Sequence, residues 1–395
     1  MPQAPSSHTY KYLTGVVILL LIGIGAYVYL SNIKPKPLAS GAVLVLPVKI
    51  VTPKSTTDID TQWNAYAAMD VLIHQLTLGV SYPLLQTEDV INITSRLTQT
   101  DNVSPSDINK IMAISGAVLV IESSVSFINN QYQLSYTLHS QSQSDTSSVN
   151  AANINQVLSS TAAAISQTFN PKHNKPVTDY QSRLHSSPLV QAITLSQQGD
   201  LLGAEQHLLT VIGHSPTNLL ASRLLGNIQL QQRQFERLSL TLTNAIDEAL
   251  RQNDQRELAR LRILLAQSYI ETDNIEQALG VLNIAKGNAA KVKDWLTLGY
   301  ASQLSGVINQ RIGRNNDARE QFKKAIEYHQ MMGYPIGQNQ ALNDLAELEV
   351  VEFNYPQAYR LINRSYELVA HRGLDDLENT TFNIMSNIEN KMQHR

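Results

Sequence analysis

Seven polar side chains in the C-terminal half of the sequence are its strongest candidates for chemistry, and that chemistry is binding. They are Arg260, Gln267, Tyr300, Gln303, Gln310, Asn343 and Glu347. Side-chain amides both donate and accept hydrogen bonds, so this set could bind a peptide backbone without requiring a charged ligand. An ordinary solvated polar face is the alternative interpretation of the same residues. We predict a partner-binding groove here.

No motif in the sequence predicts catalysis or a bound cofactor. The phosphate-binding loop G-x4-G-K-[ST], the zinc motif His-Glu-x-x-His and the nucleophile elbow Gly-x-Ser-x-Gly are all missing, and there is no cysteine. His74 lacks a partner histidine, and Asp58 and Asp60 lack the remaining ligands of a calcium site. We therefore predict no catalytic residue, no cofactor and no metal. An enzyme whose carboxylates meet only in the folded chain is the alternative.

An internal repeat positions the seven side chains. The frame Ala-x3-(Leu, Phe or Ile)-x2-(Ala or Ser) begins at Ala278, Ala318 and Ala358, which lie 40 residues apart. A second small residue lies twelve positions before each alanine: Ala266, Gly306 and Ala346. Small residues at facing positions let two antiparallel helices approach closely. A period of this size predicts stacked helical hairpins.

The frame resembles the tetratricopeptide repeat (TPR), with A-x3-F-x2-A in the second helix and L-G/A in the first. Looser copies begin at Ala204 and at Leu225-Gly226, so the resemblance covers roughly 188–372 in five repeats. The resemblance implies an all-α solenoid over 188–395, whose first helices line a groove for a protein or peptide partner.

A small α/β domain is predicted over 41–169. Ala42–Val48 and Gly116–Glu122 are apolar runs typical of buried strands, and Tyr132–Leu138 alternates as a strand does. The turn Asn129-Asn130 joins the last two into a hairpin. Helices are predicted over Thr61–Leu78, from Thr87 to Leu97, from Pro105 and over Ile154–Phe169, whereas 141–150 is predicted to be a polar loop.

The order of these segments resembles the TolB-N-like module of CadC-type transmembrane regulators. The stretches PLLQTEDVI and SPSDINKIMAISGAVLVIESSV carry the resemblance. It implies a sensing module that lies outside the cytoplasm and is followed by helical repeats. The winged-helix DNA-binding domain of that family has no counterpart in this sequence.

An apolar stretch near the N-terminus predicts a membrane anchor. Tyr12–Leu30 carries no charge, and as a helix it would extend about 28 Å, close to the thickness of a bilayer. A cleaved signal peptide is the alternative. The flanking lysines are balanced, so charge does not orient the helix. The CadC-type arrangement favours a cytoplasmic N-terminus and a periplasmic body, which predicts a single-pass protein of the bacterial inner membrane.

The full prediction is an α+β multi-domain chain. It consists of a leader (1–11), a transmembrane helix (12–30), a Pro-containing spacer (31–40), the α/β domain (41–169), a linker (170–187) and the TPR-like repeats (188–395). The formal net charge of −3 and the 16% of charged residues argue against direct nucleic-acid binding. The predicted function is a membrane-anchored interaction protein, acting as a sensor or scaffold. The alternative is a diverged CadC-type regulator that retains only its sensor part.

Overall fold

The structure, a computed structural model, describes residues 41–51, 64–79, 82–94, 105–169 and 182–393. It consists of a small α/β domain followed by a long array of antiparallel helices. The predicted leader and spacer and the first part of the predicted linker, 170–181, lie outside these ranges.

The α/β domain is built on one mixed sheet. Its strands are β1 (Ala42–Val45), β2 (Lys49–Val51), β3 (Ala117–Ile128), β4 (Gln131–Ser140) and β5 (Ser144–Ala151). Both β1 and β2 run parallel to β3, whereas β3, β4 and β5 form an antiparallel meander in the order β1-β3-β4-β5. The β3–β4 hairpin turns at Asn129 and Asn130, which both adopt the positive φ that this turn requires.

The helices of this domain are α1 (Ala65–Gly79), α2 (Thr87–Thr94), α3 (Pro105–Ser115) and α4 (Ile154–Phe169). The apolar faces of α1 and α4 are buried with the inward side chains of the sheet, such as Leu134 and Ile121. Strand β5 lies where the sequence predicts a loop. Its residues are almost all polar and exposed because it forms an edge of the sheet, so no apolar alternation marks it.

After a short 3-10 helix at Arg183–His185, the α-helices of the described range 182–393 form five antiparallel pairs and one further helix. They are α5 (Ser187–Gln197), α6 (Leu201–His214), α7 (Leu219–Gln231), α8 (Phe235–Arg251), α9 (Gln255–Glu271), α10 (Ile275–Lys291), α11 (Trp295–Arg311), α12 (Asn315–Met332), α13 (Pro335–Val351), α14 (Tyr355–Ala370) and α15 (Asp375–Gln393). We call α5, α7, α9, α11, α13 and α15 the first helices and the others the second helices. The predicted small residues pack as expected: a Cβ added to Gly306 of α11 would overlap the ring of Phe322 on α12.

The turns between these helices are regularly spaced along the sequence. A residue with positive φ occurs every 20 positions: Arg233, Asn253, Asp273, Lys293, Gly313, Gly333, Phe353 and Gly373. In each turn the next backbone N–H bonds to the carbonyl five residues earlier, as Asn274 does to Tyr269 at 2.8 Å. This is the Schellman arrangement that ends helices in a left-handed residue. Each helix with its turn therefore occupies 20 residues, and two of them make the 40-residue repeat.

The structure contradicts the predicted fold class in one component. Within the described ranges, no helix is both long and apolar enough to cross a membrane. Tyr12–Leu30, on which the prediction rests, lies outside those ranges. The fold class is corrected to a mostly helical TPR-like solenoid with a small sheet in its N-terminal region. The predicted single-pass inner-membrane localisation depends on the same helix, so this localisation is corrected as well and is not supported.

Candidate functional site

The first helices present one continuous face to the α/β domain, and we call it the inner face. Residues at intervals of three and four lie on the same side of a helix, so Leu296, Tyr300, Gln303 and Val307 form one line along α11. The seven predicted residues come from α9, α11 and α13.

The α/β domain covers the first turns of these helices. Leu296 of α11 and Ile336 of α13 belong to the same hydrophobic core as the strands. Where the domains meet, the backbones of Gly116 and Gly333 lie so close that a Cβ on Gly116 would overlap the carbonyl of Gly333. Arg372 donates a hydrogen bond to the carbonyl of Ala113 at 3.2 Å. The two domains therefore share a core and are not merely linked in sequence.

A buried ionic network joins the domains beside this core. Glu88 of α2 forms ion pairs with both Arg223 of α7 and Arg260 of α9. Arg260 also lies 3.2 Å from Asp89 and 3.3 Å from Asp294. Its side chain is only 10% exposed, so it contacts the α/β domain and not an open groove.

Burial and the neighbouring charges shift the pKa values of the carboxylates in this network in opposite directions. Burial favours the neutral acid, but the charges and hydrogen bonds of Arg223 and Arg260 outweigh it and lower the pKa of Glu88 to about 2. The pKa of Asp89 is raised, because burial and the adjacent carboxylates outweigh the attraction of Arg260. Breaking such a network leaves an uncompensated buried charge, which makes each partner costly to remove.

Two more of the predicted residues are also engaged within the protein. The hydroxyl of Tyr300 donates to that of Tyr334 at 3.3 Å, at the border of the α/β domain. Asn343 is buried: its amide donates to Thr381 at 3.3 Å, and its carbonyl oxygen accepts from Ser365 at 2.7 Å. The register of the repeat predicts Asn343 on the groove, but α14 and α15 enclose it.

The other four predicted residues lie on the later turns of the first helices, beyond the α/β domain. Together with three neighbours on the same line they form a surface that we call the open strip. It comprises Gln267, Gln303, Val307, Gln310, Asp344, Glu347 and Val351. Val307 and Val351 are 39% and 56% exposed, and Glu347 is also exposed. The structure thus brings Gln267, Gln303, Gln310 and Glu347 onto one surface, and their role in binding stays a prediction.

Asp344 is the one charged residue of the open strip that the sequence prediction did not include. Gln303 donates a hydrogen bond to its carboxylate at 2.6 Å. Burial, together with the nearby charge of Glu347, raises the pKa of Asp344 to about 6. The same position is Leu304 one repeat earlier and Ile384 one repeat later. An acid at a position that is otherwise aliphatic was the signal in the sequence.

His329 of α12 is a second residue that the sequence did not single out. It is fully buried, and neither ring nitrogen has a hydrogen-bond partner among the described residues. Gly299 and Gly337 make room for it, since a Cβ at either position would overlap the imidazole. The ring lies 5.3 Å from that of Tyr300, and burial lowers its pKa to about 4. His329 is therefore a neutral packing residue between α11 and α13.

The outer face of the sheet carries one arrangement that resembles hydrolase chemistry. His139 lies 2.9 Å from the Ser144 hydroxyl through Nδ1 and 3.1 Å from Glu122 through Nε2. Lys49 also binds Glu122, at 2.9 Å. The side chains of this His–Ser–Glu arrangement come from neighbouring strands, whose backbone N–H groups largely form the hydrogen bonds of the sheet. The arrangement therefore provides no oxyanion hole. We interpret it as a cross-strand network that stabilises the sheet.

Two cavities lie away from the open strip. One of about 650 Å³ is lined by residues such as His185, His214 and Gln252, and His214 is bonded to the carbonyl of Thr210 at 2.8 Å. The other, of about 300 Å³, lies between α1 and α9 and is lined in part by the ionic network. Within the described ranges, no group of three or more His, Asp or Glu side chains could hold a metal ion.

No protein-family model matches this chain, and no curated protein matches it. Solved structures do match. BtubC from P. vanneervenii is 13% identical with a TM-score of 0.38, over 53% of this chain and 94% of its own. A thermophilic TPR protein of Thermus thermophilus is 18% identical with a TM-score of 0.39, over 50% and 97%. A Rap protein in complex with competence and sporulation factor is 13% identical with a TM-score of 0.44, over 60% and 69%.

These TM-scores are too low to support an argument about function. The predicted TPR-like solenoid is confirmed by the chain's own helix pairs, with their facing small and bulky residues and their regular turns. A relationship to CadC-type regulators is not shown by any of these matches.

Proposed function

We propose that this protein is an interaction scaffold that binds a protein or peptide partner along the open strip. The observation that carries the proposal is the division of the inner face. Its first turns are filled by the α/β domain, whereas its later turns carry half-buried amides, the half-buried Asp344, and the exposed side chains of Glu347 and two valines.

The chemistry of the open strip suits a polypeptide. Gln267 and Gln310 can each donate to a carbonyl and accept from an N–H of an extended chain. Val307 and Val351 add apolar contact area between the polar groups. The strip contributes carboxylates and no Lys or Arg, so it would repel a nucleic-acid backbone. Helical-repeat solenoids commonly use such extended inner surfaces for binding.

Site-specific photo-crosslinking in cells tests this proposal. A photoreactive amino acid replaces Val307 or Val351 on the open strip. In matched controls it replaces Leu240 or Ile284, which are 66% and 53% exposed but lie on second helices. We expect one discrete adduct from the strip positions and none from the controls.

The captured protein is then purified and titrated against the full chain. We expect Gln303→Arg to weaken its binding by about tenfold or more, which corresponds to about 1.4 kcal/mol. Equal crosslinking from both sets of positions, or an unchanged affinity in Gln303→Arg, would move the binding surface elsewhere.

A further inference from the structure

We propose that the partner segment carries a Lys or Arg side chain, and that its cation binds between Asp344 and Glu347. The inference rests on the proposed function, because it names the chemistry of the partner that the open strip selects.

Other acidic residues near this surface have ion-pair partners. Glu271, at the end of α9, is paired with Arg233 at 2.8 Å, and Glu349 of α13 is paired with Arg319 at 2.7 Å. Asp344 and Glu347 lie on the same helix as Glu349, yet neither forms an ion pair with any described Lys, Arg or His. The one polar contact that the described residues give Asp344 is the neutral amide of Gln303.

The two carboxylates are close neighbours on the surface of α13. They are three residues apart on α13, so their side chains are neighbours on one face of the helix. Asp344 is largely enclosed at the floor of the strip, and Glu347 is exposed above it. Two acids placed this way repel each other, and a cation between them would offset the repulsion and the cost of burial together.

Apolar surface lies beside this acidic pair. Val307 and Val351 flank it with exposed apolar surface. Lys and Arg place a long aliphatic stem beneath a charged head, so they can cover the valines while the head reaches the carboxylates. The neighbouring repeats have Leu304 and Val307, or Ile384 and Asn387, at the two acidic positions. One cation-binding position is therefore expected among the repeats that the structure describes.

A peptide selection tests the inference directly. The immobilised full chain is used to select from a phage library of random dodecapeptides, and the same is done with the variant Asp344→Asn/Glu347→Gln. We expect peptides selected by the unaltered protein to be enriched in Lys and Arg over the starting library. The enrichment should disappear with the variant, and a selected peptide should bind the variant about tenfold more weakly.

The matched control is Asp247→Asn/Glu276→Gln, which makes the same change in net charge on second helices. It should select Lys- and Arg-rich peptides as the unaltered protein does. Thermal unfolding of both variants checks that they are folded, and the amide substitutions keep the shape of each side chain.

The outcomes separate this inference from the proposed function. If selected peptides lack basic enrichment, or if enrichment survives in Asp344→Asn/Glu347→Gln, the cation site is wrong. The open strip still stands in that case, provided that Gln303→Arg abolishes the selection. If no peptide is selected against any form of the chain and crosslinking at Val307 yields nothing, both proposals fail.

Discussion

The two halves of the inner face lie on the same helices, but their charged side chains are paired in one half and have no described ion pair in the other. In the first turns, Arg260 lies among three carboxylates and joins the α/β domain to the repeats. In the later turns, Asp344 and Glu347 have no described cation beside them. Charges in the first half therefore join the two domains through buried ion pairs, whereas the carboxylates of the second half form no ion pair with a described residue.

The largest effect is expected from breaking the ionic network. Arg260→Ala leaves Glu88, Asp89 and Asp294 without one of their cations. We expect a loss of about 3–5 kcal/mol in the free energy of unfolding, the range for removing one member of a buried ion pair. Urea denaturation measures it. Arg311→Ala is the control, because its pair with Asp273 is exposed and should cost at most about 1 kcal/mol.

His329, which packs where the two halves meet, should make stability depend on pH. Its pKa is about 4 in the folded protein and 6.5 when unperturbed, so between these values the unfolded chain takes up a proton that the folded chain does not. Stability is therefore lost as pH falls from 6.5 to 4, by about 3 kcal/mol. Urea denaturation at about pH 7.5 and about pH 4.5 should show a smaller difference for His329→Leu than for the unaltered protein. Equal differences would contradict a buried neutral imidazole.

Asp344 should act in the opposite direction. Its pKa is raised from 3.8 to about 6, so the folded protein retains a proton that the unfolded chain releases. Its contribution to stability is present below pH 3.8 and is lost as pH rises through 6. We expect Asp344→Asn to be about 3 kcal/mol more stable than the unaltered protein at about pH 8 and equal to it near pH 3.5. A variant that is less stable at the higher pH would show that the carboxylate is structural.

The smallest effect on stability is expected at the half-buried amides of the open strip. Gln267→Ala with Gln310→Ala should change the free energy of unfolding by no more than about 0.5 kcal/mol per site. Affinity for the partner captured at Val307 should fall nevertheless. If stability falls instead while affinity is retained, these glutamines belong with the residues that hold the fold.

The repeat was predictable because its packing leaves a mark in the sequence. Ala278, Ala318 and Ala358 must be small for the helices to approach, so their spacing shows directly. The turns were not recognisable as a regular series, since Arg233, Lys293 and Phe353 adopt the same left-handed backbone as Gly313. The Schellman hydrogen bonds determine that geometry, and they do not require one residue type.

The packing of the α/β domain against the helical repeats could not be predicted from the sequence. Glu88 and Arg260 are 172 residues apart, and nothing local to either predicts that they meet. The same contact explains why only part of the predicted groove is open. Asn343 shows a related limit: its register matches Gln303, but its side chain is buried against Ser365 of α14 and Thr381 of α15. The predicted membrane helix was inferred from an apolar stretch outside the described ranges, and no helix within those ranges is long and apolar enough to cross a membrane.

The uniform turns also restrict how this array can change in length. Since every turn from Arg233 to Gly373 has the same backbone form, any helix can follow any other without a new connection. Losing a single 20-residue segment would nevertheless exchange the roles of first and second helices from that point on. Only whole pairs can therefore be gained or lost while each side chain keeps its side of the array.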